Sequence, residues 1–265
     1  METVTLQTID TSKLSQTQPT SKKSDSVSVI VLLVKNDKFV GIDKPWQIDI
    51  LGKTMQDWVT LACGGRKITY VEYDNKQEII STIKPYLDQS EYTMVVYSDT
   101  PLLKQSTVND VIDYCLLKQP SVCKLTRGYV FNTNFAKNAD KIYTAEPRYF
   151  DEEDFMTAFS NKQLMIIEDI MKNRIIDFHL RNGVRIMDAN TTTIGADVTI
   201  EKGTQIYPNN TIIGVCYIGK DVVLYPNNFI QNSIIDDECA ITYSVVKNSK
   251  VPTQTKLGPF EKIIQ

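Results

Sequence analysis

The chain is predicted to join an α/β head to a C-terminal parallel β-helix through one long helix. Two patterns predict this. The first is an alternation of apolar β-type runs with amphipathic helical segments between Val27 and about residue 160. The second is an aliphatic residue at every sixth position in the last third. Ile194, Ile200, Ile206, Ile212, Ile218, Leu224 and Ile230 lie six apart, and one-residue slips carry the count through Ile235, Ile241, Val246, Val251, Leu257 and Ile263. Side chains alternate faces along a strand, so a period of six returns each of these residues to the same face. A hexapeptide repeat with one fixed aliphatic position makes each hexad one flat wall of a coil. Three walls take about eighteen residues, so these inward positions amount to about four coils. Turn residues fall where corners are needed: Gly195, Lys202-Gly203, Pro208-Asn209-Asn210, Gly219-Lys220 and Pro226-Asn227-Asn228. An antiparallel sandwich would show variable spacing instead.

Residues 1–26 read as a flexible N-terminal arm. Fourteen of these 26 residues are Ser, Thr or Gln, too few apolar groups to build a core. The α/β domain spans 27–160. Val27–Val34 is a buried β run, Met55–Ala62 a helix, Ile68–Tyr73 a strand, Glu78–Leu87 a helix interrupted by Pro85, and Thr93–Tyr97 a strand. Thr107 is expected to cap a helix carrying Val108, Val111, Ile112 and Cys115 on one stripe. Strands alternating with helices imply a parallel sheet. Tyr129–Phe131 is a further candidate strand. A helical arm, 161–183, presents Leu164, Ile167, Met171, Ile175 and Phe178 at helical spacing and stops at Gly183. The β-helix takes 184–265. The acidic run Asp151-Glu152-Glu153-Asp154 reads as a solvated helix start ahead of a metal or cation patch.

Composition excludes several classes of function. Net charge is −3, without a basic stripe for nucleic acid. The longest apolar run, Val29 to Val34, cannot span a bilayer. The N-terminus lacks the apolar core of a secretion signal. Cys63, Cys115, Cys123, Cys216 and Cys239 show no metal or disulfide spacing and read as reduced core residues of a cytoplasmic protein.

The stretch Arg174–Ile186, Arg-Ile-Ile-Asp-Phe-His-Leu-Arg-Asn-Gly-Val-Arg-Ile, resembles the end of the arm in the bacterial bifunctional N-acetylglucosamine-1-phosphate uridylyltransferase/glucosamine-1-phosphate acetyltransferase family. Asn248-Ser249-Lys250-Val251 and Leu257-Gly258-Pro259-Phe260 resemble β-helix stretches of the same family. The resemblance covers residue 160 to the end closely, and Val27–Ser160 faintly but in order. It implies a Rossmann-like nucleotidyltransferase head, here reduced, a left-handed β-helix, and assembly as a homotrimer.

The resemblance also implies sites. Acetyl transfer in the family takes place in the β-helix. The single His of this chain, His179, lies on the arm outside the coils, and Gln265 precedes the coils that would carry that site. Acetyltransferase activity is therefore not expected, and His179 reads as a packing or capping residue. Uridylyl transfer needs phosphate donors, a metal and a base slot. The family's Gly-rich phosphate loop is replaced by Leu32-Leu33-Val34-Lys35-Asn36-Asp37-Lys38-Phe39, with no Gly before Gly41. Lys35, Lys38 and Lys44 are the candidate catalytic cations. Tyr97-Ser98-Asp99-Thr100-Pro101-Leu102 matches the family's metal-binding motif, so Asp99 is the candidate magnesium ligand, with Asn161 as its partner after a register shift. Substrate-binding residues are not identified. Three readings follow. One is a protein of the UDP-N-acetylglucosamine pyrophosphorylase type with reduced or lost catalysis and retained binding of a sugar nucleotide or partner. Another is an active magnesium-dependent nucleotidyltransferase with an altered phosphate loop. The last is a non-enzymatic trimeric scaffold.

Overall fold

A computed structural model describes residues 26–36, 38–39, 42–74, 77–142, 148 and 150–265. The expected N-terminal arm, Ser26 apart, lies outside the described residues. The head is built on β1 (Val27–Val34), whose Val, Ile and Leu run is buried on both faces. β1 leads through the short hairpin of β2 (Asp49–Ile50) and β3 (Lys53–Thr54) into α1 (Met55–Ala62). Thr54 caps α1 by a reciprocal box with Asp57. β4 (Ile68–Tyr73), α2 (Ile79–Ile83), β5 (Tyr92–Tyr97), α3 (Gln105–Lys118), β6 (Val122–Leu125), β7 (Gly128–Asn132) and α4 (Thr133–Asn138) follow.

The sheet runs β4-β1-β5-β7-β6. β4, β1 and β5 are parallel, as expected, but β7 pairs antiparallel with both β5 and β6. The cause is local: only Thr126 and Arg127 separate β6 from β7, and so short a link permits only a hairpin. Gly128 is required there, because its φ is +137° and a Cβ would meet Val95 O at 2.6 Å. β6, four residues long, carries too little pattern to be read in sequence.

Two other expectations are corrected. Thr107 does not cap α3, which starts at Gln105; its Oγ1 instead donates to Asp154 at 2.5 Å. The helix expected to run to Leu87 ends at Ile83 and tightens to a 3₁₀ turn over Lys84–Tyr86, where Pro85 supplies no N–H.

The arm is α5 (Asn161–Arg181), capped by Ser160, whose Oγ accepts from Gln163 N. Its buried face is Ile167, Met171, Ile176 and His179; Phe178, expected in the apolar stripe, is 39% exposed. Just past the helix, Gly183 takes φ +86°.

Short parallel strands from Arg185 to Ile264 then stack into three walls. One wall stacks Ile194, Ile212, Ile230, Val246 and Ile263; the second Ile200, Ile218, Ile235 and Val251; the third Ile186, Ile206, Leu224, Ile241 and Leu257. These are the thirteen predicted inward positions plus Ile186. The fold is a left-handed parallel β-helix appended to a Rossmann-like mixed sheet. Corner Asn209 and Asn227 adopt φ +61° and +63°. Asn210 and Asn228, one position on, turn inward; Asn228 Nδ2 donates to Tyr225 O at 2.6 Å and to Asn210 Oδ1 at 2.9 Å.

Candidate functional site

The sheet order reverses direction at β1: the chain goes from β1 to β4 on one side, then to β5 on the other. The crevice at the carboxyl ends of β1 and β5 is therefore the switch point where α/β sheets form ligand sites. Ser98 and Asp99 occupy it. Ser98 N donates to Leu32 O at 2.9 Å, and Val34 N donates to Ser98 Oγ at 3.1 Å, which locks the strand end. Asp99 O accepts from Ala158 N at 2.7 Å, bringing the entry to α5 against the same point.

The Asp99 carboxylate faces Arg127. Nη2 lies 2.6 Å from Oδ2 and Nε 3.2 Å from Oδ1, a two-pronged charge-assisted pair. Asp99 is 6% exposed. Burial pushes its carboxyl above the ordinary range, with Arg127 pulling the other way. For Arg127, burial acts to lower the guanidinium's pKa, but Asp99 outweighs it and the net shift is upward. The guanidinium also lies 3.9 Å over the Tyr97 ring, and Tyr97 meets Tyr73 edge-on at 5.9 Å. The carboxyl edge of the sheet thus carries an arginine clamped between a carboxylate and an aromatic face. A sequence reading finds Arg127 only as part of the stretch Arg127-Gly128-Tyr129-Val130-Phe131; nothing local reveals its partner 28 residues earlier.

A magnesium ion takes free carboxylate oxygens in a near-octahedral shell. Both Asp99 oxygens are held by a guanidinium, so in this arrangement Asp99 does not fit that ion. Asn161 is exposed at the first position of α5, three residues beyond the Asp99-bonded Ala158. Among the described residues, no group of three or more His, Cys, Asp or Glu side chains is placed to hold a metal.

The candidate cations are spread along the rim. Lys35 Nζ pairs with Glu72 at 2.8 Å, both about half exposed. Lys38 Nζ sits 4.7 Å from the Phe159 ring centroid, beside Asn36, whose Nδ2 donates to Phe159 O at 3.0 Å. Lys44, exposed, adds to the field that depresses Glu72 below its ordinary range, after the hydrogen bond and charge of Lys35. Lys35 and Lys38 are thus directed at Glu72 and Phe159, not at a common point.

The acidic run also departs from its expected role at Asp154. Asp154 is not a solvated helix start: it is fully buried, receiving Thr107 Oγ1, Lys104 Nζ at 2.8 Å and Arg174 Nη2 at 3.0 Å. Arg174, on α5, also reaches Glu153 at 2.6 Å and Leu102 O at 2.5 Å. This cluster fastens the arm to the head just behind the Asp99 loop.

Fold and site together define a two-part class: a Rossmann-like α/β head leading by a helix into a hexapeptide β-helix. Over part of its length the chain is similar to known proteins. The chain is 42% identical over 111 residues to the bifunctional protein GlmU of Clostridium kluyveri, 43% over 113 residues to that of Clostridium botulinum, and 42% over 111 residues to that of Thermoanaerobacter pseudethanolicus. The matched segment, 42% of this chain, is GlmU-like. The chain spans about a quarter of the length of these relatives, 24% for the first. No protein-family model matches. A solved structure described as a hypothetical transferase from Thermus thermophilus covers 40% of this chain and 65% of its own, at 17% identity and a TM-score of 0.30, a likeness too slight to bear on function.

Proposed function

We propose that the chain is a catalytically reduced protein of the UDP-N-acetylglucosamine pyrophosphorylase type, a pseudoenzyme that keeps the scaffold and binds a sugar nucleotide or a protein partner. The observation that carries this reading is the pairing of Asp99 with Arg127. It puts a fixed cation where the family's motif would offer a free carboxylate. The scattered lysines and the loss of the Gly-rich stretch after β1 support it: residues with Cβ atoms keep backbone N–H groups away from a triphosphate. All five cysteines are free and buried, in keeping with a cytoplasmic setting. Among the described residues no helix is long and apolar enough to cross a membrane.

The test is uridylyl transfer from UTP to N-acetylglucosamine 1-phosphate with magnesium, read by pyrophosphate release. The expected result is no turnover above background. Magnesium-dependent turnover that disappears in Asp99→Ala overturns the reading. It would favour the active enzyme, for which one observation speaks: Asp99 stands at the switch point with its motif intact. That alternative requires Arg127 to swing off the carboxylate.

We further propose that the β-helix assembles as a homotrimer, since flat walls pack around a threefold axis. Its outer corner carries an exposed aromatic file: Tyr207 stacks on Tyr225 at 5.3 Å, and Tyr243 lies 6.0 Å from Phe260. Light scattering at micromolar concentration should give three times the monomer mass; a monomer rules the trimer out.

A further inference from the structure

A cavity lies away from the switch point, where head, arm and first coil meet. It measures about 360 Å³ and draws its walls from α1, the loop after Asp99, α5 and the corner Ala196–Val198. Trp58, Leu61, Leu103, Ile175, Phe178 and Val198 make it mostly apolar. The junction is built, not incidental. Ala196 N donates to Leu51 O at 2.8 Å, and Lys53 Nζ meets Asp197 Oδ1 at 2.6 Å, both contacts running from the β2–β3 hairpin to the coil.

The charged groups at its rim are matched to acids or bases. Lys53 is on Asp197, Lys104 on Asp151 and Asp154, and Arg174 on Glu153 and Asp154. His179 is the exception. It lines the cavity, is 2% exposed, and its Nδ1 has no hydrogen-bond partner. Its ring meets the Phe178 ring edge-on at 5.3 Å. A buried imidazole nitrogen without a partner forfeits a hydrogen bond, and such groups mark places that a further molecule completes. The neutral imidazole carries its proton on either nitrogen, so it can serve as donor or acceptor toward the cavity.

We propose that this cavity is a binding site for a small, uncharged, largely aromatic or aliphatic molecule bearing one hydroxyl or N–H group, which His179 recognises. The volume falls within the range of small-molecule sites, and such sites favour domain junctions. The lack of an unmatched charge among the named rim groups selects against ions. Because the walls come from three parts of the chain, an occupant ties the head to the β-helix.

The experiment uses 2-naphthol as the probe, with 2-naphthoate as its anionic counterpart, in isothermal titration of the full chain. The expected result is one site with a Kd of about 1 mM or tighter for 2-naphthol, and binding about tenfold or more weaker for 2-naphthoate. Leu61→Trp, a change at the half-exposed mouth that a folded protein tolerates, should abolish binding while leaving the melting temperature unchanged. His179→Phe should weaken 2-naphthol by about tenfold, the worth of one hydrogen bond. No binding by the natural chain, equal binding of the anion, or binding that either variant leaves unchanged overturns the proposal. None of these outcomes depends on whether uridylyl transfer occurs.

Discussion

Arg127 closes on Asp99 with two nitrogens, 2.6 and 3.2 Å from the two carboxylate oxygens, at the carboxyl end of β5 beside β1. Removing one member of a buried pair strands the other. Arg127→Met should therefore destabilise the chain by about 3–5 kcal/mol, and Arg127→Met with Asp99→Asn by clearly less, because the amide carries no charge to strand. Urea unfolding of the two variants and of Asp99→Asn completes a double-mutant cycle. A single-variant loss below about 1 kcal/mol would mean the pair is open to water and the site less committed than the geometry indicates.

Asp154 holds the arm to the head, taking Thr107, Lys104 and Arg174 while fully buried. Asp154→Ala leaves two cations and a hydroxyl facing a void, and should cost about 3 kcal/mol or more. The loss should be local first. Limited proteolysis should cut between Met156 and Ser160 faster than in the natural chain, well before the coils yield. Cleavage at an unchanged rate would show that the apolar contacts of Ile167 and Met171 suffice to hold the arm.

The β-helix was legible because its order is sequential: every inward residue announces itself by its distance from the last, and the walls form from those residues. In the head the long apolar strands β1, β4, β5 and β7 were legible, while the short β2, β3 and β6 were not. What sequence could not show was decided by partners far along the chain. Asp151-Glu152-Glu153-Asp154 looks like any solvated acidic run until Thr107 and Arg174, 47 and 20 residues away from Asp154, close over its last member. Arg127 carries no local sign that it belongs to Asp99. The hairpin that turns the parallel sheet into a mixed one hides in two residues and a glycine. His179 as a packing residue was readable from its place near the helix end; the empty space beside it was not.

Within the coils, neighbouring asparagines should differ sharply in consequence. Asn228 is buried, donates to Tyr225 O at 2.6 Å and Ile241 O at 3.1 Å, and accepts from Ser244 N at 2.9 Å. Asn228→Ala strips those groups of their partner and should cost about 2–3 kcal/mol. Asn227 sits on the corner at φ +63°, a conformation glycine adopts freely, so Asn227→Gly should stay within about 0.5 kcal/mol. Thermal melts of the two variants decide it. Equal losses would place the coil's stability in its corners and not in the inward ladder.

His179 gives the fold a dependence on pH whose sign is fixed by burial. Burial lowers the imidazole from its ordinary value near 6.5 to about 4. The folded chain therefore keeps His179 neutral while the unfolded chain takes up a proton below about pH 6.5. As pH falls from about 6.5 toward 4, the unfolded state binds more protons than the folded one, and stability is lost with acidity. Above that window the group contributes no slope. The full loss is about 3 kcal/mol at an order-of-magnitude level, from the size of the shift. Carboxylates titrate in part of the same window, so the diagnostic quantity is a difference: the change in unfolding free energy between pH 7 and pH 4.5, natural chain minus His179→Phe. The natural chain should lose about 2 kcal/mol more than the variant over that range. Equal losses would show that the imidazole is already solvated in the folded protein, and that water reaches the junction cavity.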